Sequence, residues 1–168
     1  ELTALLGQIS QELSDPNQQC RLQLRSAEVL KDEIADLDRA IEAYCAILDE
    51  HPDNATALEA LDELYVRTER WSDLRTILET QVDRAQDVEE RTALYIRLAE
   101  NAEHRLGQPE EAVRCYSEVF YLDAQNRSVW EQLERLARGG IQVSEVTGLL
   151  EPVYTEQSAW TKVHDMLE

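Results

Sequence analysis

The chain has 168 residues, 43% of them hydrophobic but only 6% aromatic, and it carries 35 acids against 16 bases for a net charge of -19. That is enough apolar material for a core of ordinary size, and the negative charge argues against nucleic acid and against an anionic membrane surface, because like charge repels both. No apolar run approaches ~20 residues, so no segment is expected to insert into a bilayer.

Five glycines and four prolines leave room for few and short turns, good helix formers dominate, and no stretch alternates β-branched and polar residues as a strand would. The expected fold is all-α. Leu2, Leu5, Leu6 and Ile9 already form an apolar stripe at the very beginning, behind a Glu rather than a Met, so we expect a chain cut from a longer protein. Localisation then defaults to the cytoplasm. Helices are expected at 2–13, 17–34, 38–50, 54–67, 72–86, 88–106, 109–122, 127–138, 144–151 and 158–168. Asp15 before Pro16 is a capping acid ahead of a first-turn proline. Pro52, Asp53 and Asn54 end one helix and cap the next, Gly107 and Gly139-Gly140 close helices, and Ser72 and Ser144 are capping candidates. Gly148 and Pro152 should leave the helix at 144–151 short or kinked.

A shift of 72 residues carries Tyr44 onto Tyr116 and aligns a long series without a gap. Leu22 meets Leu94, Arg25 meets Arg97, Ala27 meets Ala99, Ala40 meets Ala112, Asn54 meets Asn126, Leu61 meets Leu133 and Leu64 meets Leu136. Each 72-residue unit then holds four helices, or two helical hairpins.

These residues resemble the tetratricopeptide repeat. With Arg21 as the first position of a 34-residue unit, Ala27, Ala40, Tyr44 and Pro52 take the family's small, Ala, aromatic and Pro positions. Ala99, Gly107, Ala112 and Tyr116 do the same from Ala93, and Trp130 and Leu133 match from Arg127, while the unit from Ala55 is degenerate, with Leu74 in a small-residue slot. The resemblance implies a single repeat array, a right-handed α-α superhelix (solenoid) of about four hairpins. Its expected repeats are 21–54, 55–92, 93–126 and 127–160, flanked by partial repeats at 1–20 and 161–168. Small residues would let paired helices approach, and no hairpin could bury both faces without its neighbours.

In such arrays the first helix of each hairpin lines a concave, partner-binding groove. By this register the groove would carry Arg25, Val29, Glu59, Glu63, Arg97, Asn101, His104, Glu131, Arg135 and Arg138, acidic early and more basic late. Arg97 and Asn101 resemble part of the clamp with which some family members hold a terminal carboxylate. Ala60 and Gln132 stand where the clamp needs a further Asn.

Catalytic chemistry is not indicated. Acid pairs such as Asp36/Asp38 and Glu110/Glu111 sit at helix starts, where the helix dipole favours them. His51, His104 and His164 have no metal-ligand spacing, and no phosphate loop or nucleophile motif is present, so neither a metal nor a cofactor is expected. Cys20, Cys45 and Cys115 read as reduced thiols in helices. Trp71 and Trp130 read as core, and Trp160 as an edge or a contact. The expected function is a non-enzymatic protein–protein interaction scaffold binding a protein or peptide segment, basic by charge complementarity. The alternatives are a structural module that self-associates through open ends, or the regulatory domain of a larger signalling protein or enzyme.

Overall fold

The computed structural model describes Thr3 and residues 15–156. The helices expected at 2–13 and 158–168, and Trp160, lie outside the described residues, apart from Thr3, which is helical. Eight helices follow: α1 (Pro16–Asp32), α2 (Leu37–Glu50), α3 (Ala55–Arg67), α4 (Trp71–Arg84), α5 (Val88–His104), α6 (Pro109–Leu122), α7 (Arg127–Arg138) and α8 (Val143–Glu156). No strand occurs among the described residues. The 72-residue shift seen in the side chains is present in the backbone too. It carries α1, α2 and α4 onto α5, α6 and α8 end for end, and α3 onto α7 to within one residue.

Local chemistry fixes these ends. Asp15 and Asp87, 72 apart, each cap a first helix by accepting from a backbone N–H of the first turn, Asn17 at 3.0 Å and Glu90 at 3.2 Å. Asn54 and Asn126 do the same for α3 and α7, at 3.0 and 3.4 Å. The turn that leaves α1 is repeated bond for bond after α5. Ile34 and Asp36 N–H donate back to Val29 and Leu30 C=O, and Leu106 and Gln108 N–H donate to Asn101 and Ala102 C=O. This turn needs a left-handed residue at its centre, which is Ala35 (φ 57°) in one copy and Gly107 (φ 64°) in the other.

The chain forms two compact units that meet in sequence at Ile77/Leu78, inside α4. In the first, α1 packs on α2 and α2 on α3. Ala27 and Ala40, fully buried, allow the close approach, and Ile41, Tyr44, Ile47, Leu58, Leu61 and Leu64 fill in around them. In the second, α5 packs on α6, α6 on α7 and α7 on α8. Ala99 and Ala112 repeat the small contact, with Val113, Tyr116, Val119, Leu133 and Leu136 around it.

Three expectations are corrected. The helix expected at 144–151 runs on to Glu156 with Pro152 inside it. Val146, Leu150 and Tyr154, spaced four apart and all but fully buried, hold α8 against α7 despite the missing N–H. Ser72 and Ser144 are second residues of their helices rather than caps, because left-handed Glu69 and Gln142 have already turned the chain. Trp71, as the first residue of α4, is only half-buried, whereas Trp130 is core.

Candidate partner-binding faces

In the first unit α1 and α3 flank an open groove of about 500 Å³ over α2. Leu24, Tyr44 and Ala60 form its apolar floor, Arg21, Arg25, Glu28 and Lys31 come from α1, and Thr56, Glu59 and Glu63 from α3. Of the residues expected on this face, Arg25, Glu59 and Glu63 line it. Val29 does not; it is 2% exposed and belongs to the core. The face of α1 runs 21, 24, 25, 28, 31, so Glu28 stands where Val29 was expected, and Lys31 joins it. Val29, Ala27 and Leu30 are the apolar side of the same helix, and that pattern was the available signal.

Charge on this face is arranged in pairs. Lys31 Nζ donates to Glu63 Oε2 at 3.1 Å, joining α1 to α3 above Tyr44. Burial pulls the Lys31 ammonium pKa down, but its hydrogen bond and attraction to Glu63 outweigh that and hold it above its ordinary value. The hydrogen bond from Lys31 keeps the Glu63 carboxyl below its ordinary range. Burial raises the Tyr44 hydroxyl. Arg25 is held along α1 by Glu28 at 2.7 Å and by Glu33 at 3.5 Å.

The corresponding face of the second unit is built by α5 and α7. Arg135 grips Glu103 with a two-pronged contact, 2.6 and 2.7 Å, and also donates to Gln132 Oε1. The Arg135 hydrogen bond holds the Glu103 carboxyl below its ordinary range, and the same bond raises Arg135. His104 Nδ1 lies 4.0 Å from Glu103. Arg97 and Glu131 are exposed on α5 and α7, but Asn101 is buried at 5% and its carbonyl oxygen accepts from the turn after α5. Arg138 is drawn to Glu134, a buried carboxyl that also accepts a hydrogen bond from the Tyr154 hydroxyl. Glu103, Glu134, Lys31 and Tyr154 were not anticipated from sequence; their partners lie 20 to 32 residues away.

Among the described residues no group of three or more His, Cys, Asp or Glu side chains could hold a metal ion, and no helix is long and apolar enough to cross a membrane. No family model matches the chain, and no curated protein does. Among solved structures it is similar to YrrB, described as a TPR protein with an unusual peptide-binding site. The two are 16% identical, with a TM-score of 0.49 over 99% of this chain and 89% of that one. On the evidence of its own helix pairs, small-residue contacts and repeated turns, the chain is built of tetratricopeptide-like helical hairpins.

Proposed function

We propose that the chain is a non-enzymatic scaffold that holds a protein or peptide segment, and that in the first unit the segment lies between α1 and α3. The groove over Tyr44 carries this reading. It pairs an apolar floor of Leu24, Tyr44 and Ala60 with a wall bearing Arg21 and Arg25 and a wall bearing Glu59 and Glu63. Such a trough suits a segment whose apolar side chains sit on the floor while its charges fix the register. Glu59 on one wall and the net charge of -19 favour a segment with basic residues, which would associate faster at low salt.

Ala60 offers a mild way to narrow the trough, because the second copy carries Gln132 at the same place. Peptides selected from a displayed random library on the full chain would be titrated against the parent and the Ala60→Gln variant. We expect Ala60→Gln to bind roughly tenfold more weakly, the loss that a filled interface position brings, while Glu118→Gln on the exposed side of α6 binds as the parent does. Equal affinity in all three would remove the groove from the account.

A further inference from the structure

Part of the paired faces is the same residue twice. Arg25 and Arg97, Glu28 and Glu100, Tyr44 and Tyr116, and Glu59 and Glu131 each repeat after 72 positions. The ion pair beside the tyrosine does not. Lys31 of α1 meets Glu63 of α3, whereas at the corresponding places Glu103 of α5 meets Arg135 of α7. The geometry is kept and the sign is reversed. Exposure is kept too: the members on the first helices, Lys31 and Glu103, have side chains 17% and 12% exposed, and their partners Glu63 and Arg135 are 52% and 48% exposed.

We propose that this reversal keys each first helix to the third helix of its own copy, preventing equivalent helices from being exchanged during folding or between two molecules. Pairing α1 with α7 would set Lys31 against Arg135, and pairing α5 with α3 would set Glu103 against Glu63. In both cases a mostly covered charge loses its partner and meets its like, which costs more than losing a surface pair. Much of the surrounding packing would resist the exchange less. Ala27, Ala40, Tyr44, Leu61, Leu64 and the capping Asn54 recur 72 residues on, although Leu24, Leu58 and Ala60 become Ile96, Trp130 and Gln132, and duplicated helical units are prone to misassembly and swapping. The reversed pair adds to these differences in size a repulsive element built against the wrong partner.

The test uses the full chain. The Lys31→Glu/Glu63→Arg variant gives the first copy the second copy's polarity with side chains that this site already holds elsewhere in the fold. Glu103→Lys/Arg135→Glu does the converse. Each keeps its own pair, yet makes both crossed pairings attractive. Diluted from denaturant at high protein concentration and followed by size-exclusion light scattering, each should yield roughly tenfold more exchanged dimer than the parent, with helical circular dichroism preserved. The quadruple variant restores opposite polarity and should refold with the parent's dimer fraction. Double variants that refold like the parent would overturn the proposal. So would a quadruple variant as dimeric as the doubles, since the defect would then lie in the local substitutions. Should one double variant fail to fold, the other and the quadruple decide.

Discussion

Burial sets the chemistry of Cys115 more than that of any other described thiol. On α6 it is 9% exposed, and burial, with help from Glu111, Glu79 and Glu118, pushes its pKa up to about 12. A thiol held that high is almost wholly protonated at neutral pH. In native protein at pH 8, Cys115 should stay unmodified by iodoacetamide while Cys20 and Cys45, half-buried, react first. Peptide mass spectrometry would read this, and labelling of Cys115 at the rate of the others would contradict it. The sequence made the thiols legible as reduced helix residues but not their ranking. At the same scale Val29 was misplaced, because counting from Arg21 puts it on the open face while its own side chain completes the apolar stripe with Ala27 and Leu30.

Among elements, the turns after α1 and α5 are a natural comparison of two residues in one conformation. Gly107 has φ 64° with open space where a Cβ would point, and Ala35 has φ 57° in the matching turn. Left-handed backbone strains Ala but not Gly. Gly107→Ala should therefore lower stability by roughly 1 kcal/mol. Ala35→Gly exchanges strain for chain entropy and should leave stability within about 0.5 kcal/mol of the parent. Chemical denaturation of both variants would show it. Helix existence and most ends were legible because capping residues and prolines mark them, as at Asp15-Pro16 and Asn54. The continuation through Pro152 was not, since burial of Val146, Leu150 and Tyr154 decides it and only the packed structure displays that burial.

The pair joining α5 to α7 also predicts a pH dependence. The Glu103 carboxyl is held below its ordinary range by Arg135, so the folded state binds a proton less readily than the unfolded one. Its stabilisation is fully present above the ordinary carboxyl value of about 4.3 and is lost as pH falls through the lower folded value. Acid also relieves the self-repulsion of a -19 chain, so the informative quantity is a difference. The stability gap between parent and Glu103→Gln should be constant from about pH 7 to pH 5.5 and shrink below about pH 4.3. A gap unchanged down to pH 3 would mean that the pair holds nothing.

At the scale of the whole molecule, one 72-residue plan is written twice, with the same helix order, the same caps on the first and third helices and the same turn after the first. The plan was legible from the sequence because the repeated small residues and tyrosines are packing requirements. The candidate faces were only half legible: a register says which residues point outward, as it did for Arg25, Glu59 and Glu63, but not which charges across two helices meet. Those meetings, Lys31 with Glu63 and Glu103 with Arg135, span 32 residues and differ in sign between copies.

The central claim is that the trough between α1 and α3 is where a partner segment rests. It is tested most directly by placing a photo-activated cross-linking residue at position 24, on the floor, and in a separate variant at position 66, exposed on α3 but outside the lining residues. The account predicts that a library-selected peptide is captured from position 24 and not from position 66. Capture from position 66 alone would contradict it.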